Sequence, residues 1–434
     1  MLTNSVLALG LALSPASQLR LAGLPVGPSE LCLVLWVGLA SLAFVLRLQE
    51  SHGTVFNSLL LFWTLFGLSL LLGTLTGYVI GDLHDSGLFI HDAVAYPLLA
   101  AVSLLSVVEP NSLARTNEVA RLVVVFGTLL LAVQIFQALT GFELFDLDPW
   151  YWDRLRGWSD NPNQLALVCG ILAPLAIHVG ETSRHPMAFA GSLLSFFVIV
   201  SAGFMTKSDT FRLALIGVLA IYTLLKLRTW SQLRQSSLNF KAAVAWIAFL
   251  ALPAIAASGG AVVASLGEGV FGIAKSLAKE GGKVQSAEAD LRFLVWREAI
   301  NRGLESGMLG LGPGPHIAIP ASIIAARRHE GNEPKYVEHP EVTDAPNFEA
   351  HNTLLDLFTQ GGLLALVALS WLAAKSLKLA YRAKQEAQLA MLAGLIIFSV
   401  FHLIVRHPLF WFAIGFSLVG SYARIELMTT GERR

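Results

Sequence analysis

The chain has 434 residues, of which 55% are hydrophobic and 14% charged, and its 30 basic and 30 acidic side chains balance to a formal net charge of zero. A soluble domain averages nearer a quarter charged, and the mean hydropathy here is +0.63, so the composition is that of an integral membrane protein. Zero net charge points to no nucleic-acid partner, and Cys32 and Cys169, both inside apolar runs, build neither a disulfide framework nor a metal motif.

A helix needs about 20 apolar residues to cross the hydrocarbon core. On that length the predicted spans are 2–19, 29–47, 55–80, 89–108, 119–140, 163–180, 188–206, 210–226, 240–258, 351–374, 387–405 and 408–425. The first run, "MLTNSVLALGLALSPASQ", has the look of a signal peptide but no basic n-region, and is read as a retained span interrupted by Pro15. An all-α polytopic fold of about twelve transmembrane helices follows. The Lys/Arg bias sets its orientation. Arg47, Arg115, Arg184, the set Lys226/Arg228/Arg234 and the set Lys375/Lys378/Arg382/Lys384 share one face, while "GDLHDSG" on the other has no base.

Two connections on that base-poor outer face are unusual. The loop 140–164 carries Trp150, Tyr151, Trp152 and Trp158, which suit an interfacial aromatic belt and also a wall for a lipid or a sugar. The segment 259–350 is far longer than the others, and long loops concentrate function. Within it, 286–305 has apolar residues at helical spacing and reads as an amphipathic helix, "GLGPGP" as a turn, 316–329 as a second, weaker helix, and the Pro-containing 330–350 as irregular. The chain therefore divides into spans over 1–258, a helical cap over 259–350, and spans with a tail over 351–434. Cap and spans are expected to enclose a cavity open sideways to the outer leaflet.

Several ionisable groups stand at span ends on this face: Lys207, Asp209 and Arg212; Arg292 and Arg297; Arg406 and His407. Charges at that depth are costly unless they are paired or face water. Plainer roles exist for each. Arg212 snorkels, Arg297 pairs with Glu298 or Glu305, Asp209 neutralises Lys207, and Arg406 and His407 anchor the interface. As a set, cations on one face suit a lipid-linked phosphate, for which arginine supplies a planar fork and lysine a point charge. In "GWSDNPNQLAL", Asn161 or Asn163 caps a helix whose rigid turn is set by Pro162. "GMLGLGPGP" lacks the GK[ST] ending of a nucleotide loop. His351 stands where a span begins, either as a substitute cap or as a general base, for which a neutral imidazole is suited. No HExxH, cysteine cluster or DxD pair calls for a metal; His339 with Glu341 and Asp344 is at most an accidental site.

These motifs resemble a known family. "AHNTLLDLFTQGGLLA" is similar to the His-Asn element of the O-antigen ligase and polymerase superfamily. His351 and Asn352 match it and Gly362 falls at its first glycine position, while Ala365 stands where a second glycine is usual. "LRFLVWREAINRGLESGMLGLGPG" resembles its Arg–Trp–helix–glycine run, through Arg292, Trp296, Gly310, Gly312 and Gly314. "TKSDTFRLALIGV" resembles its Ser-Arg element through Arg212, with Asp209 and Thr210 departing from the usual context, and "SDNPNQLAL" resembles its Asn-Pro-Asn element. The likeness covers roughly 157–375.

The resemblance implies a GT-C-like glycosyltransferase of the bacterial inner membrane, with a periplasmic cap and active site and no cofactor. It moves a glycan from undecaprenyl diphosphate onto the lipid A–core oligosaccharide with inversion. On this likeness His351 is the base, and Arg212, Arg292 and Lys207 hold the donor diphosphate. Asn352, Asn161, Asn163, Trp296, Arg297 and His339 are the further candidates. An O-antigen polymerase shares this chemistry with another acceptor. A protein O-oligosaccharyltransferase usually has a longer chain, and a flippase needs mid-membrane charges that the spans lack.

Overall fold

The computed structural model describes residues 2–20, 26–46, 53–81, 86–108, 111–142, 144, 147–232, 287–320 and 344–430. The expected span 240–258 lies outside them, as do 259–286, 321–343 and His339. The architecture is all-α and polytopic, with twelve α-helices and little sheet among the described residues. They are α1 (Leu2–Ala12), α2 (Pro28–Leu46), α3 (Thr54–Ile80), α4 (Ser86–Ser106), α5 (Ser112–Thr140), α6 (Pro162–Thr182), α7 (Pro186–Met205), α8 (Asp209–Gln232), α9 (Ala287–Glu305), α10 (Thr353–Arg382), α11 (Glu386–Phe401) and α12 (Pro408–Thr430). Nine of these are long and apolar enough to cross a membrane.

Apolar residues all round a helix allow it to face either lipid or protein, and burial separates the two cases. Of the most apolar stretch, 72% is buried in α6 and in α12 but only 17% in α2. The first two are therefore central, and α2 turns Leu31, Val34, Leu35, Leu42 and Val45 outward. The core is largely aromatic where α3, α4 and α12 meet. Trp63 and Trp411 lie 4.5 Å apart, Phe62 and Trp411 5.0 Å, and Tyr96 stands edge-on to Phe66.

Two expectations are corrected. The run 2–19 is not one span. Its helix stops at Ala12, ahead of Pro15, and resumes only as a 3-10 turn at Ser17–Leu19. Eleven residues rise about 16 Å, roughly half the hydrocarbon thickness, and α1 instead buries Leu7, Ala8 and Leu11 within the core. In the long loop, the described part of the expected 316–329 helix is a strand, β3 (Ile317–Pro320), and the supposedly irregular stretch contains β4 (Asp344–Phe348). The two pair antiparallel, Ile317 opposite Phe348 and Ile319 opposite Ala345, with an irregularity between. Alternation explains the strand: Ile317 and Ile319 both point into a small core with Val295, Ala299 and Ala350. Pro346 is tolerated because a two-stranded ribbon has only edges. The expected amphipathic helix is present as α9, packed on α10 and β3. The aromatic loop is a hairpin of β1 (Trp150–Tyr151) and β2 (Arg154–Leu155). Trp152 is exposed, but Trp158 is buried and donates from Nε1 to Gln137 Oε1 at 2.8 Å.

Candidate active site

His351 is the last residue but one before α10, in the link from β4. Its backbone is left-handed, at φ 50°, a conformation uncommon outside glycine. Three contacts hold it there. Asp356, buried in the first turn of α10, accepts from the N–H of Ala350 at 2.6 Å and of Asn352 at 3.2 Å, on either side of the histidine. Asn352 is the helix cap, its Oδ1 accepting from the N–H of Leu354 and Leu355. Trp296 of α9 donates from Nε1 to the carbonyl of Ala350 at 3.0 Å. The cap role therefore falls to Asn352, and the His351 side chain stays free of it, with 65% of its surface accessible.

Among the described residues, the imidazole has one acid beside it. Glu349 Oε2 lies 4.0 Å from His351 Nδ1, and Glu349 Oε1 takes Arg406 Nη1 at 2.5 Å. Arg406 Nη2 in turn lies 2.7 Å from Oδ2 of buried Asp92 in α4. On the same face of α4, Tyr96 donates to Gln360 Oε1 in α10 at 2.8 Å. Desolvation lowers the pKa of the His351 imidazole, Glu349 raises it, and Arg292 and Arg406 lower it, for a net position below the ordinary histidine range. Burial of the ring is the largest of these causes, and the two guanidinium groups act in the same direction. Arg406 and His407 are not the interfacial anchors that their position in the sequence suggested. Arg406 turns inward to two carboxylates, and His407 Nε2 lies 3.4 Å from Ser14 Oγ.

Arg292, exposed on α9, acts electrostatically on both His351 and His402, and Arg154 acts on His402. Arg154 is held by the carbonyl of Thr206 and by Asn163 Oδ1, each at 3.0 Å. His402 Nε2 lies 3.2 Å from Thr210 Oγ1, one residue from the start of α8. Asn161 caps α6, accepting from the N–H of Asn163. Arg212 forms an i,i+3 pair with Asp209 at 3.3 Å, and Lys207 pairs with Asp153. Asp209 thus serves Arg212 and not Lys207. Arg297 is exposed, and Glu305, one of its expected partners, pairs instead with Arg302 at 3.3 Å. The motif residues His351, Arg292, Trp296 and Asn352 converge. Arg406, named in the sequence among the span-end cations, belongs to the same neighbourhood, and so do Arg154, His402, Glu349, Asp92 and Asp356, which stand in none of the predicted positions.

The glycine run packs into a break in α10. Gly362 is non-helical there, at φ 62° and ψ −156°. In an unbroken helix the Leu363 N–H would bond the Thr359 carbonyl. Here the carbonyls of Thr359 and Gln360 accept from Leu311 and Gly312, and the Leu363 N–H goes to the carbonyl of Met308. Backbone groups at membrane depth need partners, and the loop supplies them. A Cβ on Gly310 would lie 2.5 Å from the Gln360 carbonyl oxygen, which accounts for a glycine there. No group of three or more metal-binding side chains occurs among the described residues. A cleft of about 210 Å³ at the other end of the bundle, lined by Arg228, Tyr381, Arg382 and Lys384 among others, holds none of the predicted site residues.

A helical bundle with a broken span, and an ionisable cluster where that span begins, is that of a polytopic membrane protein. Residues 169–370 match the family model described as O-Antigen ligase, which supports the O-antigen ligase superfamily for this stretch of the chain. The match takes in Arg212, Arg292 and His351 and leaves out Asp92, Arg154 and Arg406. No curated protein matches the chain.

Proposed function

We propose that the protein is an O-antigen ligase of the bacterial inner membrane, working at the periplasmic face without a metal. It transfers a glycan from undecaprenyl diphosphate to a hydroxyl of lipid A–core. The observation that carries this reading is the accessible His351 at the start of α10, next to Arg292, within the stretch that matches the O-antigen ligase family model. A histidine whose pKa lies below its ordinary range is neutral at pH 7 and accepts a proton. In the proposed step its Nε2 takes the acceptor hydroxyl proton, the oxygen attacks the anomeric carbon from the face opposite the diphosphate, and the carbon–oxygen bond to the diphosphate breaks with inversion. Arg292 and Arg212, with Lys207 as the lesser contributor, neutralise the departing diphosphate. The acceptor and donor are both lipids, so their reacting sugars meet at the depth where His351 stands.

The test uses purified protein with lipid-linked donor, lipid A–core acceptor and excess chelator. His351→Ala should lower turnover by about 10²–10⁴-fold, the usual share of general-base help, with donor binding retained. Full activity in that variant removes the assignment, and loss of wild-type turnover to the chelator restores a metal mechanism. Arg292→Lys should impair transfer as well, because the fork is lost. A deletion strain decides the acceptor. Lipid A–core without glycan, beside full-length polymer on the carrier, identifies a ligase; accumulated single repeat units identify a polymerase.

A further inference from the structure

We propose that Glu349, held by Arg406, is the positioning carboxylate of His351, fixing the ring by its Nδ1–H and balancing the imidazolium that forms during transfer. The inference rests on His351 acting as the base.

The geometry divides the two oxygens of Glu349. Oε1 is committed to Arg406 Nη1 at 2.5 Å, and Oε2 faces His351 Nδ1 at 4.0 Å. That distance is too long for a hydrogen bond, but catalytic contacts are commonly loose before substrate seats. Arg406 is itself spoken for by Asp92 on its other nitrogen. In formal charge, Asp92 offsets Arg406 and leaves the Glu349 charge to the histidine. Among the described residues, the other charged or titratable groups that act on the ring or stand beside it are Arg292 on α9, Arg406 in the link before α12 and His402 at the end of α11. The two guanidinium groups disfavour an imidazolium and Glu349 favours it.

The proton bookkeeping is simple. Nδ1 keeps its proton throughout and donates it to Glu349 Oε2. Nε2, facing away, takes the proton from the acceptor hydroxyl and later returns it to water. An anchored carboxylate thus selects the tautomer with Nε2 free and stabilises the charged ring. Because Glu349 also raises the resting pKa of His351, its removal has two separable effects. Turnover falls, and the acid limb of the pH profile moves to lower pH, since a ring without its anion stays neutral further into acid.

The experiment compares wild type, Glu349→Gln and His351→Ala, each shown to be monodisperse and to bind lipid-linked donor. Turnover is measured against pH, and mass spectrometry follows the rate of carbethoxylation at His351 against pH, which reports the ring's own titration without catalysis. Glu349→Gln is expected to lower kcat by about 10–100-fold, within the range of general-base help, with KM for donor and acceptor unchanged. Both pH midpoints should move down together. Unchanged turnover, or a midpoint that stays or rises, overturns the proposal. Wild-type turnover in His351→Ala shows instead that the base itself is misassigned.

Discussion

Asp356 shows how a single side chain sets the site. Its two oxygens accept from backbone N–H groups six and four residues earlier, and the residue between those two groups is His351. Asp356→Ala leaves two buried donors unpaired, at about 1–3 kcal/mol each, and releases the left-handed turn. Thermal unfolding of the detergent-solubilised protein should drop, and turnover should fall further than stability alone accounts for. Asp356→Asn keeps one acceptor and should lie between. At this scale the sequence is legible where a role is local. His351, Asn352 and Arg292 sit in contiguous motifs, and helix capping by Asn161 follows from the Pro162 beside it. The contact between Glu349 and Arg406 is not legible in this way, because it spans 57 residues and neither stands in a recognised motif. Asp92 and Arg154 stand in no motif, and only folding sets Asp92 beside Arg406 and Arg154 within reach of His402.

Among the elements, α10 is the one whose sequence hides most. Its hydropathy is that of an unbroken span, yet Gly362 interrupts it. A Cβ at Gly362 would lie 2.0 Å from the Met308 carbonyl oxygen, on a backbone at φ 62°. Gly362→Ala should therefore destabilise the protein by about 1–3 kcal/mol or more, lowering the unfolding temperature and the yield of inserted protein. Gly67→Ala in α3, where a Cβ would meet nothing within 4 Å, should leave both unchanged. The helices were legible because a bilayer demands long apolar runs. The β3–β4 ribbon was not, because each strand is short, β4 contains a proline, and the pairing joins segments on either side of a long insertion. Only the alternation of Ile317 and Ile319 signalled it.

In the molecule as a whole, polarity is divided between two ends. Opposite the histidine cluster, Lys226 of α8 lies between Glu181 of α6 at 2.5 Å and Glu386 of α11 at 3.3 Å, with the Tyr222 hydroxyl donating to Glu181. Lys226→Met strands two largely buried carboxylates, and losing one partner of such a cluster costs about 3–5 kcal/mol. The variant should unfold at lower temperature while the pH midpoint of His351 stays in place, since the clamp is at the other end. The broken span also has a consequence for the order in which the protein is made. A helix with unbonded carbonyls in its first third is a poor solute for lipid, and α10 has such a gap until 308–312 fills it. That filler precedes α10 in the chain, so it has already been synthesised when the helix leaves the ribosome. Insertion of α10 and docking of the loop then become one event, and the histidine acquires its position only when that event is complete.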